Sequence, residues 1–255
     1  MKKIIKYSLL DILRNRIILA YTVLLALVAI SLFMMEDNPA KAVMSLANIC
    51  LLIIPLVSSI FCTIYLYNSA EFIELLVAQP IRRSRLLWGI YLGMVTALLI
   101  AVMLGIGLPV LILFPSVSGL CLVLTGAALS VVFASLATLS AVLTRDKAKG
   151  IGLTLLMWFY FTFIFDGLVL LILFQMADYP LDSAMIGMSM LNPIDMGRIT
   201  MLLQLDISAM MGLTGALFQD FFGKGWGLFL TGFVMLIWMA APILLAVNRF
   251  KRKDL

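Results

Sequence analysis

"AEFIELLVAQPIRRSRLLWGIYLG", residues 70–93, crowds two glutamates, a proline and three arginines between two long uncharged apolar runs. Runs of this kind, about 20 residues at 1.5 Å per residue, are what is needed to cross about 30 Å of hydrocarbon. Working outward, hydropathy gives six such runs, near 17–35, 46–67, 86–114, 120–143, 151–176 and 226–247. With 64% apolar residues, 12% charged and a mean hydropathy of +1.16, residues 1–255 read as one all-α polytopic membrane domain, and a soluble fold is excluded. The first run carries no charge for 19 residues, has five basic residues before it and is followed by no small-residue cleavage site, so it reads as an uncleaved signal anchor.

Charge sets the expected orientation. Segments on the cytoplasmic side of a membrane protein carry the excess of lysine and arginine. Fifteen of the 18 basic residues fall in the N-terminus, in 68–85, in 144–150 and in the C-terminus, whereas Lys41, Arg198 and Lys224 fall in the alternate segments. Both termini are therefore expected to be cytoplasmic. The segment 177–225 holds apolar patches of about half a span, bounded by Asp182, Asp195, Asp206 and Asp220. It is expected to be external, lying on or dipping into the interface as short amphipathic helices between the fifth and sixth spans.

The charged segment after the second span has a helical pattern of its own. Glu71, Glu74 and Ala78 share one face of a ten-residue helix, Phe72, Leu75, Leu76 and Val77 cover the others, and Pro80 stops it. Such a segment can be a loop that fixes topology, with Arg82, Arg83 and Arg85 meeting anionic lipid heads. It can also be a rigid lever on which a cytoplasmic partner pushes, which explains the amphipathic helix and its hard stop as well as the arginines. "EFIELLVAQPIRRSRLLWG" resembles the cytoplasmic element between the second and third spans of ABC exporter permeases, the coupling helix that docks on an ATPase subunit. Glu71 and Glu74 match its acidic positions, Gln79 and Pro80 its end, and Arg82 and Arg83 its basic step; Ile73 and Ile90 depart from the pattern. "LLDILRNRIILAYTVLLAL", from residue 9, resembles the amphipathic helix that precedes the first span in the same family.

A second resemblance covers most of the chain. "WFYFTFIFDGLVLLILF" (158–174), "MLNPIDMGRI" (190–199) and the terminal "RFKRKDL" resemble the branch of these permeases that serves nitrous oxide reductase maturation. The resemblance implies a multi-pass protein of a bacterial inner membrane, a homodimer with a separate ATPase subunit that holds ATP and Mg, a link to copper-site maturation, and a periplasmic accessory partner. An exporter of an unrelated small molecule, or a scaffold that moves no cargo, fits the same motifs.

Two polar features lie among these motifs. Asp166 sits 16 residues into the fifth run with no basic residue inside any span, so it is expected to be neutral or to face water. Asn192 suits a helix N-cap, Pro193 the first turn and Asp195 the third position, with Arg198 three residues on to pair with Asp195. The resemblance implies that Asn192, Pro193, Asp195 and Arg198 present or orient a docking surface for the external partner; packing alone accounts for the same residues equally well.

Other chemistry is scarce. Histidine is absent, no GxxxxGK[ST] occurs, and "FFGKGWG" at 221–227 lacks both the preceding glycine and the following Ser or Thr. No catalytic residue and no cofactor of its own are assigned to the chain. Cys50, Cys62 and Cys121 lie in apolar runs without CxxC spacing and read as buried small hydrophobes. Met185, Met188, Met190, Met196 and Met201 crowd the external segment, where thioethers suit Cu(I) but also serve as flexible filler, and no metal ligand is assigned. The net charge of +5 resides at the ends of apolar runs, which suits a membrane surface and offers no nucleic-acid patch.

Overall fold

A computed structural model describes residues 2–77, 82–175, 187–204 and 226–252, and all the regular structure among them is helical. Among the described residues, six helices are long and apolar enough to cross a membrane. An amphipathic helix α1 (Lys2–Leu13) precedes the first span, α2 (Arg16–Met35). Asn15 caps α2, its side chain accepting from Ile17 N at 2.9 Å. The second span, α3, runs Pro39–Asn68, seven residues earlier than hydropathy suggests, because Asn38 caps it by accepting from Ala40 N and Pro39 opens its first turn. Thirty residues extend about 45 Å, more than the hydrocarbon requires, so the helix projects beyond it.

The short helix α4 (Ala70–Val77) follows, then the third span, built from α5 (Arg83–Val102), a π-helical turn at Met103–Gly107 and α6 (Leu108–Leu113). The fourth span α7 (Val117–Leu143), capped by Ser116, is the most enclosed and packs against α3. The fifth is α8 (Lys147–Phe159), a second π turn at Tyr160–Ile164 and α9 (Phe165–Gln175). A further helix α10 (Pro193–Gln204) precedes the sixth span, α11 (Trp226–Lys251). The end that carries α1, α4 and the basic C-terminal residues is the inner end of the charge count; the other is the outer end.

Polar side chains join the spans at several points. Tyr91 Oη and Ser135 Oγ share a buried hydrogen bond at 2.7 Å, and Ser135 also donates to Met239 O at 2.9 Å, joining α5, α7 and α11. Thr63 and Thr154 hydroxyls meet at 3.0 Å between α3 and α8. Thr96, Ser130, Thr138 and Thr162 bond to carbonyls one turn back in their own helices. Small side chains allow the closest approach on α5, where a Cβ on Gly93 would stand 2.6 Å from Ser8 Cβ, so α1 lies flush along the inner part of the third span.

Candidate functional site

At the inner end, α4 is held on one side and open on the other. Ile73 is buried in the core, and the Phe72 ring stacks on Tyr7 of α1 with centroids 5.1 Å apart. Glu71, Glu74 and Leu75 are exposed, Leu75 to 70%. The amphipathic pattern expected for 70–79 is thus present over Ala70–Val77, with its acids outward; Gln79 and Pro80 lie outside the described residues. Arg82 is exposed and Arg83 half-buried at the base of the third span. Ile73, a departure from the coupling-helix pattern, is the residue that anchors the helix to the bundle. Sequence reading missed Tyr7; its place on the amphipathic α1 was the signal.

Residues 187–204 do not lie outside the membrane bundle. Asn192 Nδ2 donates to Phe161 O at 2.9 Å, and Trp238 Nε1 donates to Met190 O at 3.2 Å. Phe161 stands 14 residues into the fifth span and Trp238 13 residues before the end of the sixth, so both lie ~20 Å from the inner end. From there α10 runs outward along α7, until Cys121 Sγ, four residues from the outer end of α7, donates to Thr200 O at 3.5 Å. Because α10 starts at mid-depth and runs to the outer end, it is a re-entrant helix, set deeper than the expected placement on or dipping into the interface. Non-helical backbone is tolerated at such depth when protein encloses it.

The cap itself forms as expected from the residues. Asn192 Oδ1 accepts from Ile194 N at 3.0 Å, and Asn192 O accepts from Met196 N at 3.1 Å. Asn192 is fully buried above Phe161, whose ring meets Phe133 and Trp238 edge-on. Its partner carbonyl belongs to the π turn, an irregularity that loosens the backbone ladder where the bond is made.

Six residues on, Arg198 reaches Asp166. Both of its Nη atoms donate to Asp166 Oδ2 at 3.2 Å, and Nη1 also donates to Asp195 Oδ1 at 3.2 Å. The Asp195–Arg198 pair is the expected one. Asp166 is not without a basic partner: the partner comes from the re-entrant helix, which the span count had placed outside. Asp166 lies about 28 Å from the inner end, in the outer third of the bundle. Arg198 and Asp166 side chains are 42% and 34% exposed, Asp195 12%. Burial leaves Asn192, Pro193 and Asp195 little outward surface for the docking role expected of them; Arg198 is the open member of the group.

The remaining candidates are structural. Cys50 and Cys62 are buried and apart from any cluster of metal-ligating side chains among the described residues. Met196 and Met201 pack in the core, and Met185 lies outside the described residues.

The model of the ABC-2 family transporter protein matches residues 70–255, the part that holds α4, the ionic group and the re-entrant helix. The chain belongs to the ABC-2 transporter family. It is 27% identical to a probable ABC transporter permease protein NosY of Pseudomonas aeruginosa, over 99% of this chain and 98% of that one. It is also 27% identical to a protein of the same description from Stutzerimonas stutzeri, over 77% of this chain and 79% of that one. As an ABC-2 permease the chain is a multi-pass membrane subunit whose family works with an ATPase subunit and is not itself catalytic.

Proposed function

We propose that this permease carries ATP-driven motion from a separate ATPase, which holds ATP and Mg, across a bacterial inner membrane, in the service of copper-site maturation of nitrous oxide reductase. The observation that carries the reading is α4: a helix fixed by Ile73 and Phe72 that leaves Glu71, Glu74 and Leu75 exposed at the inner end, Glu74 on the rim of a cavity beside the bundle. Arg82 and Arg83 at the foot of the third span, and Gln79 and Pro80 just before them in sequence, complete the ATPase contact. The maturation role rests on the likeness to the two NosY permeases.

The working unit is a homodimer. The fifth span is the least covered of the six, and its face bears Asp166 with Arg198 beside it. A charge turned to hydrocarbon costs about 2.5–3.5 kcal/mol on insertion scales, so a second copy or a water-filled space between copies suits this face better than lipid.

A reading in which no cargo moves has its own support. The polar side chains within the spans largely answer to backbone of their own or neighbouring helices, and the groove of about 540 Å³ between α7, α10 and α11, bordered by Cys121, Thr200, Phe229 and Met235, is almost wholly apolar. Transmission to a periplasmic partner, with Arg198 as the open member of the ionic group, needs no hydrophilic path; export of an unrelated small molecule would need one.

The test is co-purification from membranes in mild detergent. Wild type is expected to retain an ATPase that the Glu74→Arg variant loses while still inserting. Equal retention by both would overturn the assignment of α4.

A further inference from the structure

A cleft opens at the inner end between the last turns of the fourth and sixth spans. It measures about 750 Å³ and is bordered by Val142, Leu143, Arg145, Asn248, Arg249, Lys251 and Arg252. Its four charged residues are all cations, and among the described residues none of the four is ion-paired. Four positive charges converge there from two elements, Arg145 from the turn after α7 and the others from the end of α11.

Above the cleft the surface is apolar. Leu143 on α7 and Leu244 and Leu245 on α11 are each about half exposed. Leu245, Arg249 and Arg252 follow at i, i+4 and i+7, so the exposed leucine stands directly over the basic rim on the same helical face. Acyl chains on this face and a phosphate in the cleft match the shape and polarity of one membrane lipid. Arginine presents paired donors to phosphate oxygens, and basic pockets between spans on the cytoplasmic side suit anionic head groups.

We infer that the cleft between the inner ends of the fourth and sixth spans is a binding site for an anionic phospholipid of the inner leaflet. The site follows from the charge-count orientation, and its lining shares no residue with the ATPase contact proposed above. It has a route to the coupling element. Arg145 and Val142 also line a neighbouring cavity of about 330 Å³ whose opposite wall includes Ile73 and Glu74 of α4. A head group drawn against Arg145 therefore acts on a residue shared with the cavity under α4. Glu74 is the acidic residue of the two linings, and it keeps the phosphate on the α11 side.

The test uses the full-length protein in phosphatidylcholine nanodiscs doped with phosphatidylglycerol, with retained lipid counted by mass spectrometry of the released protein. Wild type is expected to retain phosphatidylglycerol well above its bulk fraction. Each basic residue near an anionic head group is worth about a factor of five, so Arg249→Gln with Arg252→Gln is expected to weaken retention roughly 30-fold. Arg145→Gln, on a separate element, is expected to weaken it about fivefold and serves if the double variant does not fold. Arg249→Lys with Arg252→Lys retains most of the lipid, and Lys6→Gln with Lys149→Gln, outside the cleft, leaves it unchanged. Equal retention by wild type and the glutamine variants overturns the site, as does an equal loss in the Lys6/Lys149 control. Displacement of the lipid by inorganic phosphate, or an acidic polypeptide held in place of lipid, also overturns it.

Discussion

Arg198→Ala removes the one guanidinium that holds Asp166 of the fifth span to the re-entrant helix. Three hydrogen bonds of 3.2 Å go with it, and two carboxylates are left facing the space it filled. Breaking a fully buried ion pair in this way costs about 3–5 kcal/mol. Arg198 and Asp166 are each more than a third exposed, so screening lowers the expected loss to ~2–3 kcal/mol. Arg198→Lys keeps the charge but cannot span both acids, and a smaller loss is expected. Neutralising all three, with Arg198→Ala, Asp166→Asn and Asp195→Asn, is expected to recover most of the stability, because no lone charge remains. The assay is equilibrium unfolding of the purified protein in mixed micelles, titrated with denaturing detergent, arranged as a cycle of Asp166→Asn and Arg198→Gln. A coupling of at least ~1 kcal/mol is expected; effects that add to within about 0.5 kcal/mol would refute the ionic link.

Asn192→Ala removes both a buried helix cap and the bond to Phe161 O, and is expected to cost about 1–2 kcal/mol in the same unfolding assay. Gly150→Val places a Cβ against the Tyr67 hydroxyl and displaces Tyr67 from Thr144, so it is expected to destabilise by about 1–3 kcal/mol, more than Tyr67→Phe does. Ser135→Ala severs the link from Tyr91 to Met239 O, with an expected loss of about 0.6 kcal/mol and no more than ~1.7, the average and the maximum for hydrogen bonds between membrane helices.

The six spans were legible because hydrocarbon thickness imposes a length that a run of apolar residues must meet. The start of the second span was read late because Lys41 depresses local hydropathy, although Asn38 and Pro39 already form the cap. Asn192, Pro193 and the Asp195–Arg198 pair were legible for a different reason: caps and i, i+3 contacts depend on neighbours in sequence. The partner of Asp166 was not legible. It is 32 residues away, and it arrives on a twelve-residue helix, too short for a length threshold to keep. The π turn that offers Phe161 O to Asn192 leaves no pattern in composition either. The seat of α1 did leave one, in Gly89 and Gly93 spaced one turn apart on α5.

The most direct measurement of the central claim is photocrosslinking at α4 in intact membranes. A benzophenone amino acid replaces Leu75, which is exposed beside Glu71 and Glu74, and in a parallel sample replaces Leu191 on the re-entrant arm. Products are identified by mass spectrometry. If α4 is the coupling helix, position 75 crosslinks to a polypeptide that carries a P-loop, and position 191 does not. Recovery of lipid adducts alone at position 75, or of the same ATPase adduct at position 191, would contradict the claim.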